Sequence, residues 1–93
     1  MEKYTNEGID ENLKSLQGWK YNGQALEKDF KFKNFLETFA FMTLVALLAE
    51  KNNHHPDWKG GYNTLNIQLS SHDAGGITSR DFTLASQIDS LKS

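Results

Sequence analysis

The chain has 93 residues, with 10 basic and 12 acidic side chains, a formal net charge of −2 with histidine neutral, three histidines and no cysteine. This length suits a single domain over residues 1–93 with a modest core, so association with further copies would add stability. No basic run points to direct nucleic-acid binding, and no thiol is present for disulfides, thiolate chemistry or cysteine zinc sites; with no apolar run long enough for a bilayer and a polar, acidic N-terminus unlike a signal peptide, the expected location is cytoplasmic.

In chain order, Ile9, Leu13 and Leu16 recur at i, i+4, i+7 and predict a short amphipathic helix closed by Gly18. Trp19 to Tyr21 reads as a strand and Asn22-Gly23 as a two-residue hairpin turn. Ala25 to Phe32 is its partner strand, with Leu26, Phe30 and Phe32 largely alternating against charges.

Lys33 to Asn52 is the long helix, and its apolar residues fall on two faces. At 100° per residue, Phe35, Leu36, Phe39, Met42, Ala46 and Leu47 gather on one side. Phe41, Leu44, Val45 and Leu48 gather roughly opposite. A sheet can cover one face only. The expectation is that the Phe35–Phe39–Met42 side covers the sheet and that the Phe41–Leu44–Val45–Leu48 side packs against further copies, as a dimer or tetramer. A sheet edge is a second route to the same assembly.

The helix must end before Pro56, because the residue preceding a proline is pushed out of the α region. His54 and His55 therefore sit just past its C-terminus, where the helix dipole attracts positive charge. Asp57 to Lys59 reads as a short strand and Gly60 to Asn63 as a turn. Thr64 to Ser70 alternates Leu65, Ile67 and Leu69 against polar neighbours and delivers His72 just past its end. Asp73 to Gly76 is a loop. Thr78 and Asp81 have capping-box spacing, with Asp in place of Glu or Gln, and open the last helix with Phe82, Ala85 and Ile88 on its apolar face. The order α-β-β-α-β-β-α implies an α+β fold, a four-stranded antiparallel sheet with three helices on one face.

All three histidines lie between Glu50 and Asp81. Four roles are open to them from the residues alone. Zinc binding lacks a His-x-x-x-His spacing and an acidic ligand pattern. A serine nucleophile at Ser70 or Ser71 lacks a nucleophile elbow. His54 and His55 could cap the last carbonyls of the long helix. Alternatively, a helix end and a strand end could converge to face a general acid with a general base, with no metal or cofactor.

The runs Glu50-x-x-x-His54-His55-Pro56-x-Trp58-x-x-x-Tyr62-Asn63, Ile67-x-Leu69-x-x-His72 and Gly76-x-Thr78-x-x-Asp81 resemble the pterin-4a-carbinolamine dehydratases. This family is also known as the dimerisation cofactor of a homeodomain transcription factor. Gly18-Trp19, Phe30 to Lys33, Phe41-Met42-Thr43, Val45-Ala46 and Leu84-Ala85-Ser86 extend the similarity over about Gly18 to Ile88. Leu44 and Leu48 depart from it, being leucine where relatives carry polar or charged residues.

The resemblance implies dehydration of a 4a-hydroxytetrahydropterin to quinonoid dihydropterin, in support of aromatic amino-acid hydroxylation, with no metal or other cofactor. On it, His54 and His72 are the acid–base pair in either order, and His55 binds and orients. Asn53, Pro56 and the Ser70, Ser71, His72, Asp73 segment join His54 and His55 in contacting the pterin. Glu50 supports the site by orienting His54, and Asp81 by capping its helix or assisting. Trp58 walls the pocket or packs, and Tyr62 is expected to pack. The resemblance also carries two other roles: a non-enzymatic dimerisation or transcription-coactivator module acting through the long helix, and a part in molybdopterin metabolism. Nothing else in the sequence supports a transcription-factor partner.

Overall fold

The computed structural model describes residues 2–92. Helix α1 (Asn6–Leu13) starts where the Thr5 hydroxyl accepts from the Gly8 N–H at 3.1 Å. It begins and ends three residues earlier than the Ile9 to Leu16 pattern implies, and Leu16 packs on the core from the turn that follows. Strands β1 (Lys20–Tyr21) and β2 (Leu26–Lys31) pair antiparallel, Tyr21 opposite Leu26. The connection spans residues 22–25 rather than the expected two. Asn22 explains the longer loop: its side-chain oxygen accepts from the N–H groups of both Gln24 and Ala25 at 2.9 Å, building an Asx turn, with Gly23 at φ 96° beside it.

Helix α2 (Phe35–Asn52) starts two residues later than predicted, because Asn34 is its N-cap and accepts from the Glu37 N–H at 2.9 Å. Strands β3 (Asp57–Gly60) and β4 (Thr64–Leu69) form the second hairpin. A single 3-10 turn, His72–Ala74, precedes helix α3 (Ser79–Leu91). The sheet order is β1-β2-β4-β3, all pairs antiparallel, so β1 and β3 are its edges. The expected α+β order, three helices and four strands, is the observed one.

The sheet has one apolar face. Leu26, Phe30, Leu65, Ile67 and Leu69 alternate inward and are buried under the helices with Ile9, Trp19, Leu84 and Ile88. The opposite face carries Glu27, Asp29, Asn66 and Gln68, and hydrogen bonds from Asn66 and Asn22 hold the Glu27 carboxyl below the usual carboxylate range. Trp19 Nε1 donates to Asp89 on α3 at 3.0 Å, and Lys28 reaches the same carboxylate at 2.9 Å, fastening α3 to β1 and β2.

The two faces of α2 are largely the reverse of the expectation, except that Leu44 is exposed and Met42 packs on the core as expected. Thr38, Phe41, Val45 and Ala49 are buried against the sheet and α3, while Leu36 is 78% exposed, Leu47 63%, and Phe35, Phe39 and Leu44 also face solvent. Hydropathy could not choose between two comparably apolar sides; shape and hydrogen bonding did. Val45 and Ala49 are small enough to let the helix lie close, Phe41 fits between Phe30 and Phe32 with ring centroids 5.1 Å from each, and the Thr38 hydroxyl donates to the Tyr62 carbonyl at 3.0 Å. The bulkier stripe stays outside. Among the described residues, no helix is long and apolar enough to cross a membrane.

Candidate active site

The C-terminus of α2 sets the first two histidines. Asn53 takes the left-handed conformation, φ 50° and ψ 44°, which asparagine tolerates better than most residues. The chain then doubles back, and the His54 N–H bonds the Ala49 carbonyl at 3.0 Å. This reversal turns the His54 side chain inward, toward α3. The next residue, His55, stays outside.

His54 Nε2 lies 2.6 Å from Asp81 Oδ1, and both residues are buried. Asp81 is the third residue of α3 and completes a capping box: its other oxygen accepts from the Thr78 N–H at 2.9 Å. The same oxygen accepts from the Ser71 hydroxyl at 2.9 Å, and Ser71 and Thr78 hydroxyls meet at 2.8 Å. One carboxyl group thus caps α3, holds the strand-end Ser71 and holds His54. A carboxylate acceptor requires the proton on Nε2, which leaves Nδ1 as the ring nitrogen available to a ligand.

Glu50 was expected to orient His54. It instead meets His55 Nε2 at 2.8 Å, on the exposed side of the helix end, because the left-handed turn at Asn53 has carried His54 away from it.

β4 carries Leu69 into the core, and the chain beyond it places Ser71 inside and His72 outside. The His72 side chain is 84% exposed, with Nε2 3.8 Å from the Asp57 carboxylate. Asp73 pairs with Arg80 on the first turn of α3, and that guanidinium holds the Asp73 carboxyl below the usual carboxylate range.

Asn53, His54, His55, Ser70, His72 and Asp73 line one open cleft of about 290 Å³. Past Ser70 and His72 it meets a second hollow of about 430 Å³, flanked by Tyr21, Gln24 and Gly76. The ends of α2 and β4 therefore bring together six of the residues singled out in the sequence. Ser71 borders the second hollow, but its hydroxyl points into the Asp81 network. Pro56 and Trp58 do not line the cleft: Trp58 pairs with Ile67 at the β3 edge and is partly exposed. Tyr62, expected to pack, is 67% exposed; only its backbone carbonyl is engaged, by Thr38. A groove of about 690 Å³ lies elsewhere, between residues 15–17, β2 and the end of α3; no histidine lines it, and its Lys28 and Asp89 pair with each other.

Two charged neighbours escaped the sequence reading. Asp57 reaches His72 from the start of β3, and Arg80 reaches Asp73 from α3. The spacing of Arg80 and Asp81 on one helical turn was the available signal, but only the Asp fitted a capping pattern. Among the described residues, no three His, Asp or Glu side chains gather around one point.

Comparison with known proteins shows the family. A family model described as pterin 4 alpha carbinolamine dehydratase matches residues 2–91. A protein of Afipia carboxidovorans, provisionally named a pterin-4-alpha-carbinolamine dehydratase, is 51% identical over 81 residues, 85% of this chain and 81% of that protein. A Prochlorococcus marinus protein of the same provisional name is 45% identical over 93 residues, 98% of this chain and 97% of its own. The crystal structure of a transcriptional coactivator/pterin dehydratase from Brucella melitensis superposes with a TM-score of 0.93 at 35% identity, covering 98% of this chain and 99% of that one. A pterin dehydratase-like protein identified as a RuBisCO assembly factor in the alpha-carboxysome superposes at 0.70 with 27% identity, over 81% of this chain and 89% of that one. The chain belongs to the pterin-4a-carbinolamine dehydratase family.

Proposed function

We propose that this chain dehydrates a 4a-hydroxytetrahydropterin in the cytoplasm, returning quinonoid dihydropterin to the cycle that serves aromatic amino-acid hydroxylation. The observation that carries this reading is the shared cleft: His54 and His55 from the end of α2 meet His72 from beyond β4, with Asn53, Ser70 and Asp73 around them. The reaction breaks the C4a–O bond, delivers a proton to the departing hydroxyl as water, removes the N5 proton and leaves a C4a=N5 double bond. Oxidation state does not change. Imidazole both gives and takes protons near neutral pH, so His54 and His72 suit the two transfers.

Asp81 stands behind Nε2 of His54 at 2.6 Å. Its carboxylate fixes the tautomer and the orientation of the ring, whether His54 receives the N5 proton or holds the one bound for the hydroxyl. His55, exposed and steadied by Glu50, binds and orients the pterin. Backbone and side-chain groups of Asn53, Ser70 and Asp73 meet the polar edge of the ring.

The working form is a homo-oligomer, a dimer or tetramer, joined through the outer face of α2. Leu36, Ala40, Thr43 and Leu47 recur at spacings of 4, 3 and 4 along that face, the pattern of a helix–helix seam. Phe35, Phe39 and Leu44 flank it. The exposed edge strand β3 is the alternative contact.

The same apolar face favours a second reading, a non-enzymatic module that docks a different partner there. The Brucella structure is described as a transcriptional coactivator/pterin dehydratase and the carboxysome protein as a RuBisCO assembly factor, so two structural relatives carry names for work other than dehydration. One experiment separates the two: stopped-flow dehydration of enzymatically generated 4a-hydroxytetrahydropterin. Acceleration over the spontaneous reaction supports the dehydratase; its absence in folded protein overturns it.

A further inference from the structure

The His72 side chain has little of its own to hold it. It is largely exposed, and its recorded polar neighbour, Asp57, stands 3.8 Å away. The residues on either side of it are fixed, however, and both from the first turn of α3. Ser71 is buried and bonded to Asp81 and Thr78. Asp73 pairs with Arg80. The turn that follows, with φ 73° at Gly75, is closed at its base by backbone bonds between Ser71 and Gly76 in both directions, at 2.8 and 3.2 Å, and Arg80 holds Asp73 from its outer side.

Arg80 is not an ordinary surface partner. Only 30% of its side chain is exposed, and its Nε is buried with no acceptor among the described residues. It borders a small cavity of about 100 Å³ together with His54 and Asn52, so the residue that grips the turn carrying the outer histidine shares a cavity wall with the inner one. Arginine's planar fork, once packed in this way, sets direction as well as charge. We propose that Arg80 is a positioning residue for His72, anchoring the His72–Ala74 turn to α3 through Asp73. This rests on the dehydratase reading of the cleft. The His72 ring must hold its place against a substrate atom. The backbone bonds tie the base of the turn, and the Asp73–Arg80 pair adds a lateral hold on the residues at its tip. Misplacement of a reacting group by about 1 Å can cost on the order of 100-fold in rate. The Asp73 carboxyl, kept below its usual range by Arg80, remains ionised and able to grip throughout neutral pH.

The test uses the full chain with Arg80→Met, Arg80→Lys and Asp73→Asn, turnover being expressed per folded molecule. Arg80→Met should lower kcat on the order of 10–100-fold with little change in KM. Asp73→Asn should reproduce the loss in kcat, with a rise in KM of its own because Asp73 also meets the pterin edge, and the double variant should be no worse in kcat than either single one. Arg80→Lys, which restores the charge without the fork, should recover part of it. In a His72→Ala background Arg80→Met should cost nothing further. Full additivity there, or lowered stability with unchanged kcat and KM, would overturn the proposal. Should Arg80→Met not fold, Arg80→Lys and Asp73→Asn decide it by the same comparison. If wild-type protein shows no turnover, the dehydratase reading falls. The positioning claim is then decided by the His72 imidazole resonances: exchange broadening in Asp73→Asn and Arg80→Lys supports it, and wild-type spectra overturn it.

Discussion

Asp81 Oδ1 sits 2.6 Å from His54 Nε2, with the carboxyl group wholly buried and its second oxygen occupied by Ser71 and by the Thr78 N–H. A helix cap and a histidine support are thus one group. Capping alone would make Asp81 replaceable at modest cost; holding a buried histidine makes it expensive to remove. Asp81→Ala should destabilise the protein by about 1–3 kcal/mol, the range for leaving buried hydrogen-bonding groups unsatisfied. Asp81→Asn keeps the shape but replaces an acceptor with a donor, so it should lose turnover as well as stability. Denaturant titration and turnover per folded molecule separate the effects. Unchanged turnover in folded Asp81→Asn would leave Asp81 with capping only.

The histidines should differ from one another. His72→Ala removes an exposed ring and should leave stability nearly intact while lowering turnover by about 10²–10⁴-fold, the usual contribution of a general acid or base. His54→Ala should cost a similar factor and also stability, because Asp81 loses a partner inside the core. His55→Ala, whose ring is exposed beside Glu50, should raise KM more than it lowers kcat. A His54→Ala protein that is destabilised yet turns over normally when folded would assign His54 to structure alone.

The element order was readable because the local signals agreed: alternation at Leu65, Ile67 and Leu69, the stop before Pro56, and the cap at Thr78. The grouping of the histidines was permitted, not required, by their place at element ends; the family motif is what singled it out. Three things were not readable. The Asx turn at Asn22 lengthened a hairpin that the Asn-Gly pair alone would have made tight. The left-handed Asn53 redirected His54 from Glu50 to Asp81, a choice that depends on one backbone torsion. The inward face of α2 was decided by the fit of Phe41 between Phe30 and Phe32, which periodicity does not encode.

Two pH effects should be distinguishable. Turnover corrected for the spontaneous reaction should change slope between about pH 5 and 8, where imidazole titrates; a flat profile would count against histidine acid–base chemistry. Chelator should leave turnover unchanged, and loss with EDTA restored by zinc would revive a metal role. Stability has a separate acid limb. The Asp73 carboxyl is lowered by its bond from Arg80, so its contribution is present above the ordinary Asp value of about 3.9 and is lost as pH falls through the lower folded value. The stability gap between wild type and Asp73→Asn should therefore close on acidification through that window. A gap that persists at pH 2 would assign the loss to packing rather than charge.

The outer face of α2 gives the remaining prediction. Leu36, Phe39, Leu44 and Leu47 are exposed along three turns, with Phe35 stacked on Phe39 at 6.0 Å between ring centroids. Soluble monomers rarely leave so continuous an apolar stripe in water. A second copy of the same helix would cover it symmetrically, each buried leucine contributing about 1.5–3 kcal/mol. Replacing Leu36 and Leu47 together with glutamate should dissociate the assembly and leave the fold intact, because neither side chain touches the core. Val45→Glu, by contrast, places a charge between helix and sheet and should unfold the chain. The reversal of faces is thereby tested directly, since the opposite assignment predicts that a charge at Val45 dissociates copies without unfolding them. Sedimentation velocity at micromolar concentration, paired with circular dichroism, reads both. A wild type that sediments as a monomer would end the oligomer proposal, and an assembly that survives the Leu36/Leu47 double substitution would move the contact to the β3 edge.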